Sequence, residues 1–236
     1  MALPVVNSSR YSTTLPSTGE ELEYRPYLVK EEKIMMVALE SKDNKQIVRA
    51  MKNVISSCVY NDVDVNSFTS FDLEWMFLQL RTKSVGGIAQ LNMSCEADEC
   101  GAKTEVDVNL EEVELSRPNE TKVVDITDDV GLEMKYPSVE TMEDYDEEKL
   151  KSMEGAFELV AQSMVTIFDK DNVFPVKDET PEDVRNFLES LSSLQFSRII
   201  DWMQNTPSVS KLVEWNCIQC GHKNSMELRG LQNFFT

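Results

Sequence analysis

Four of the five cysteines in this 236-residue chain form two closely spaced pairs: Cys95 with Cys100, and Cys217 with Cys220. A short loop between two cysteines places both sulfur atoms on one side of an ion, and tetrahedral zinc binds four thiolates at about 2.3 Å. Glycine follows each pair directly, and a glycine with positive φ turns backbone N–H groups toward the thiolates. The two pairs together predict one four-cysteine zinc site.

The predicted site is structural. Four sulfur ligands leave no open position for water, so hydrolytic zinc chemistry would require one ligand to be absent. A long stretch of chain separates Cys100 from Cys217, so the ion would join the middle of the chain to its C-terminus. His222 is an alternative ligand in place of one cysteine, although a short polar turn normally exposes such a side chain.

Other chemistry has weaker support. A redox dithiol would need a helix starting at Cys217, whereas the segment GHKNSMELRGL after Cys220 favours a turn and a strand. A calcium loop starting at Asp169 is excluded because Phe174 stands where glycine is needed. With one histidine, no phosphate-binding Gly-rich loop and no nucleophile elbow, we expect no catalytic residues and no enzyme activity.

The formal net charge is −19, from 42 acidic and 23 basic residues. Such a surface repels phosphate backbones and anionic lipids, so nucleic acid and membranes are not the expected partners. The acidity either only keeps the protein soluble or complements a basic partner surface. No segment approaches the roughly 18 apolar residues of a membrane span, and the N-terminus lacks a signal-peptide pattern. The odd cysteine count favours a reducing compartment, with Cys58 packed inside a helix.

Apolar spacing predicts the helices. The three- and four-residue steps favour a helix from Ile47 to about Cys58. A second helix follows the capping hydroxyls of residues 66–72, contains the apolar residues of 73–80 and stops at Gly86-Gly87, whereas 27–39 fits a helix or a strand equally well. A long helix is predicted from Leu150 to Phe168, and a further helix starts at Thr180-Pro181. The remaining apolar positions up to Trp215 belong to the same C-terminal helical part.

Alternating apolar residues predict the strands. Residues 88–93 and 104–110 read as antiparallel strands joined by the loop CEADEC, and 122–126 and 131–136 are expected to extend the same sheet. The expected fold class is α+β: a mainly helical chain with a small antiparallel sheet and a split four-cysteine zinc ribbon. Five segments follow: an extended N-terminal arm (1–24), an N-terminal helical part (25–87), the sheet with the first cysteine pair (88–137), a C-terminal helical part (138–215), and a zinc-ribbon tail returning to the sheet (216–236).

The chain also resembles the baseplate hub and hub-assembly protein family of T-even-like contractile-tail bacteriophages, over most of its length. The resemblance rests on four segments: ALPVVNSSRYSTTLPSTGEELEYRPYLVKEEKIMM, FTSFDLEWMFLQLRTKSVG, SCEADECG and WNCIQCGHKNSMELRGLQNFF. It implies a non-enzymatic hub component or hub-assembly chaperone that acts through contacts with other baseplate or hub proteins. It also implies a location in the host cytoplasm during assembly and, if the protein is retained, in the virion tail baseplate.

Several alternatives stay open. The N-terminal arm would order along a neighbouring subunit, and the chain could form a homo-oligomer. A zinc ribbon that binds nucleic acid or the transcription machinery is a second class, supported thinly by Lys223, Arg229, Phe234 and Phe235. A carboxylate-based hydrolase is a third class, without a distinctive motif.

Overall fold

The computed structural model describes residues 8–116, 121–145 and 147–234. They fall into two compact units: the first contains the described residues up to Ser116 and those from Ser208 onward, and the second lies between them. Eight α-helices and several small antiparallel sheets occur in these residues, so the α+β class is confirmed.

In chain order, the helices of the described residues are α1 (Val29–Ser41), α2 (Asn44–Cys58), α3 (Ser70–Ser84), α4 (Val139–Glu143), α5 (Glu147–Lys151), α6 (Met153–Ser163), α7 (Pro181–Ser190) and α8 (Ser193–Gln204). The strands are β1 (Tyr11–Thr14), β2 (Glu21–Tyr24), β3 (Ile88–Ser94), β4 (Lys103–Asn109), β5 (Glu114–Ser116), β6 (Val123–Asp125), β7 (Gly131–Met134), β8 (Met164–Phe168), β9 (Val173–Pro175), β10 (Ser208–Asn216) and β11 (Lys223–Arg229). No helix in these ranges is both long and apolar enough to span a lipid bilayer.

The N-terminal segment differs from the predicted extended arm. Strands β1 and β2 form an antiparallel hairpin, and the alternation of β2 buries Leu22 and Tyr24 on one face. The indole Nε1 of Trp75 on α3 donates a hydrogen bond to Thr13 Oγ1 at 3.0 Å. The segment therefore packs on its own unit, because the side chains of Leu22 and Tyr24 point to the same face of β2 and are buried there. Residues 1–7 of the predicted arm lie outside the described residues.

Helix α3 begins at a buried capping box. The Thr69 hydroxyl accepts a hydrogen bond from the Asp72 N–H, and the Asp72 carboxylate accepts from both the N–H and the hydroxyl of Thr69. The same carboxylate accepts from the Ser17 N–H at 2.9 Å, in the turn between β1 and β2. Asp72 thus joins the start of the helix to the N-terminal hairpin.

Two hairpins of the first unit lead to the cysteine pairs. Strand β3 pairs with β4, and β10 lies between β11 and β5 in a three-stranded sheet. The prediction that 209–215 is helical is wrong: Val209, Val213 and Trp215 alternate toward the core, and β10 pairs with β11 from Ser210 to Asn216. The tail strand β11 therefore pairs with β10. The prediction that the tail returns to the β3–β4 sheet is wrong.

The second unit has its own four-stranded sheet, in the order β6-β7-β8-β9. The strands at 123–125 and 131–134 belong to this sheet and do not extend the β3–β4 hairpin, which corrects the prediction. The predicted helix from Leu150 to Phe168 ends at Ser163, and the chain continues as β8 because Ile167 pairs with Leu132 on β7. Apolar residues of this sheet pack with α6, α7 and α8 in one core.

Candidate metal centre

The first cysteine pair lies in the turn between β3 and β4. The Cys95 N–H donates to the Ala102 carbonyl at 2.8 Å, and the Cys100 N–H donates to the Ala97 carbonyl at 3.1 Å. Gly101 closes the turn with a φ of 54°, in the left-handed region that glycine adopts without strain. These bonds close the turn that carries both cysteines.

The second pair lies in a tighter turn between β10 and β11. The Cys217 N–H donates to the His222 carbonyl at 2.8 Å, and the Gly221 N–H donates to the Cys217 carbonyl at 2.9 Å. Gly221 has a φ of 72°. The Gln219 N–H points at the Cys217 sulfur at 3.4 Å, which is the N–H···S arrangement expected around a thiolate ligand.

Two side chains connect the turns directly. Asn224 Oδ1 accepts from the Glu96 N–H at 2.8 Å, and Thr104 Oγ1 accepts from the Ile218 N–H at 3.3 Å. Both Asn224 and Thr104 are buried, and each stands near the start of the strand that follows its own cysteine turn. Sequence reasoning missed them; the available signal was a polar residue at an inward position of each strand.

The four sulfur atoms lie together. Cys95 Sγ is 3.7 Å from Cys220 Sγ, Cys100 Sγ is 3.8 Å from Cys217 Sγ, and all four lie within 4.8 Å of one another. A regular tetrahedron with metal–sulfur bonds of about 2.3 Å has edges of about 3.8 Å. All five cysteines are free thiols, and these separations exceed the roughly 2.05 Å of a disulfide. The arrangement fits a tetrahedral metal ion.

The pKa values of the Cys217 and Cys95 thiols shift in opposite directions. The N–H groups of Cys220 and Gln219 lower the pKa of Cys217 to about 6. For Cys95 the Ala97 N–H lowers the pKa, but burial and the thiols of Cys220 and Cys217 raise it, and the net pKa is raised. A divalent cation bound among the four sulfur atoms would favour the thiolate form of each cysteine.

The other candidate residues lie apart from this cluster. His222 takes part through its backbone carbonyl and is exposed, and its side chain does not join the four-sulfur group. Cys58 is buried, as expected of a core thiol, and burial raises its pKa to about 11. The Asp169 carboxylate accepts hydrogen bonds from the N–H groups of Asp171 and Asn172 in the turn between β8 and β9. In the segment that superficially resembles a calcium loop, this carboxylate therefore stabilises the turn.

Comparison with known proteins gives the family. The family model described as T4 bacteriophage base plate protein matches residues 8–236. Among curated proteins, the baseplate hub assembly protein gp26 of Enterobacteria phage T4 is 22% identical over 196 residues, which cover 83% of this chain and 84% of that protein. No solved structure matches the chain. A chain matched over nearly its whole length by this model belongs to the T4 bacteriophage base plate protein family.

Proposed function

We propose that the chain is a non-enzymatic component or assembly chaperone of a phage tail baseplate hub, stabilised by one structural zinc ion. The ion is bound by Cys95, Cys100, Cys217 and Cys220. The observation that carries the metal proposal is the sulfur geometry: separations of 3.7 and 3.8 Å, on two turns from distant parts of the chain, match the edges of a zinc tetrahedron.

Zinc would supply a strong link between the β3–β4 and β10–β11 hairpins, which have no backbone pairing between their strands. The β3–β4 and β10–β11 hairpins do not pair with each other as strands, and Asn224 and Thr104 provide two hydrogen bonds between their turns. A typical hydrogen bond contributes only about 1 kcal/mol, whereas a structural zinc contributes several-fold more to folding. The ion therefore stabilises the first unit and keeps its surface rigid for binding.

The partners we propose are other baseplate or hub proteins in the host cytoplasm. The support is family membership together with a relative that is named a hub assembly protein. The net charge of −19 favours partners with basic surfaces, because complementary charge steers encounter and selects partners. Such complexes should form more slowly as ionic strength rises.

Metal content tests the zinc proposal. Elemental analysis of the purified chain should give one zinc per chain, and a strong chelator should lower the thermal unfolding midpoint. Cys220→Ser should lose the metal, whereas Cys58→Ala should keep it, because Cys58 lies outside the sulfur cluster. A wild-type chain without zinc, with the same midpoint in chelator, would remove the metal from the proposal.

A separate experiment tests the baseplate role. Cells infected with phage that lack the gene should accumulate tails without complete baseplates, as seen by electron microscopy. Mass spectrometry of purified baseplates then distinguishes the two roles: a hub component is present, and an assembly chaperone is absent. Normal baseplates in the absence of the gene would refute the role and leave the zinc result unaffected.

A further inference from the structure

Helix α1 is apolar around most of its circumference but buries only a narrow face. Glu31, Met35 and Ala38 are buried toward its own unit. Five apolar side chains are between 44% and 67% exposed: Val29, Ile34, Met36, Val37 and Leu39. A helix that is apolar on all sides is typically buried on all sides, so the outer surface of α1 has the character of a contact surface.

The outer face carries a nearly palindromic stripe. Lys33, Met36, Val37 and Glu40 stand at i, i+3, i+4 and i+7, the spacing of a single helix face, and all four are exposed. Met36 and Val37 form the centre of the stripe. The basic Lys33 and the acidic Glu40 lie at equal distances on either side of it. A surface of this kind complements itself when it is turned by 180°.

The charge of this region also differs from that of the whole chain. Residues 28–58, which contain α1 and α2, hold six basic and four acidic side chains, a net charge of +2, whereas the chain carries −19. The excess of acidic residues therefore lies outside this segment, and two copies that meet at α1 bring together a segment without net negative charge.

We propose that α1 is a twofold contact surface through which a second copy of this chain binds. Antiparallel pairing of the two helices, with the axis between Met36 and Val37, places Lys33 of each copy beside Glu40 of the other. The same pairing buries Met36 and Val37 at the centre. One such contact forms two identical ion pairs around an apolar core, as an isologous interface requires.

Charge exchange tests this pairing. Sedimentation equilibrium of the full chain at near-physiological salt, from about 10 μM to about 500 μM, should show a monomer–dimer equilibrium of the weak class expected for a small interface. Lys33→Glu and Glu40→Lys should each weaken the dimer by about tenfold or more, because each places like charges opposite one another. The double variant should restore it.

The design separates this pairing from a general charge effect. Net charge becomes more negative in Lys33→Glu and less negative in Glu40→Lys, so simple repulsion between acidic chains would move the two variants in opposite directions. Met36→Lys should also dissociate the dimer, whereas Leu194→Lys, at a 70% exposed position on α8, should leave it unchanged. Circular dichroism checks that each variant is folded.

A wild-type chain that stays monomeric over this range would overturn the proposal and assign the α1 surface to a different protein. A double variant that dimerises no better than the single variants would also overturn it.

Discussion

Cys95 and Cys220 are 125 positions apart in the chain, and their sulfur atoms are 3.7 Å apart. Cys95 lies in the turn of the β3–β4 hairpin and Cys220 in the turn of the β10–β11 hairpin, so one ion would hold the two hairpins in contact. Bringing distant parts of a chain together costs conformational entropy, and the free energy of metal binding must outweigh that cost. The stability of the first unit should therefore depend on all four sulfur atoms together.

This dependence predicts strong non-additivity. Cys95→Ser and Cys220→Ser should each lower the free energy of unfolding by about 4 kcal/mol or more, because either change would release the proposed ion. The double variant should be little worse than either single variant, as measured by urea unfolding in the presence of zinc. By contrast, Cys95→Ser combined with Cys58→Ala should be close to additive; additivity within the cysteine cluster would argue against a shared ion.

Gly221 allows a specific test of the second turn. Its φ is 72°, and a Cβ there would meet no atom within 4 Å, so Gly221→Ala would add backbone strain without a steric clash. We expect a loss of about 1–2 kcal/mol in chemical unfolding. Gly221→Asn should lose less, because asparagine tolerates the left-handed region better; equal losses would point to a cause other than φ.

Asp72 should be among the most sensitive acidic residues of the first unit. It is 1% exposed and accepts hydrogen bonds from Ser17 and Thr69. Asp72→Ala leaves these donors unpaired, and we expect a loss of about 3 kcal/mol in urea unfolding. Asp64 accepts a similar N–H bond at an exposed position, so Asp64→Ala should cost only about 1 kcal/mol. Similar losses for the two variants would contradict the role of burial.

Glu31 predicts a pH dependence. Desolvation raises its pKa, but the Arg25 guanidinium at 2.9 Å and the Leu28 N–H together outweigh it, so the pKa lies below the usual 4.5. A lowered pKa means that folding favours the carboxylate. Its contribution is therefore fully present above about pH 4.5 and is lost as the pH falls through the folded value.

Glu31→Gln isolates this contribution. The wild type should be more stable than the variant by about 2 kcal/mol at pH 7, and the difference should shrink below about pH 4. Glu32→Gln, at the next position of the same helix turn, is the matched control for helix position and net charge. A wild-type advantage that stays constant down to pH 3 would contradict the pKa shift.

The chain's local chemistry determined part of this structure. Cysteine spacing and a following glycine predict a tight turn that carries two sulfur atoms, from a handful of neighbouring residues. The capping hydroxyls of residues 66–72 predict a helix start in the same way, and in the structure Thr69 forms the cap with Asp72, three residues on. These features depend on short-range geometry, and the sequence alone was sufficient for them.

Tertiary structure decided the elements whose apolar residues fit either period. Ile167 lies in a strand because it pairs with Leu132 on β7. Val213 lies in a strand because β10 pairs with β11. Strand pairing draws on residues that are distant in sequence, which local periodicity cannot identify. The same holds for Asn224 and Thr104, whose role in joining the two cysteine turns exists only once both hairpins have folded together.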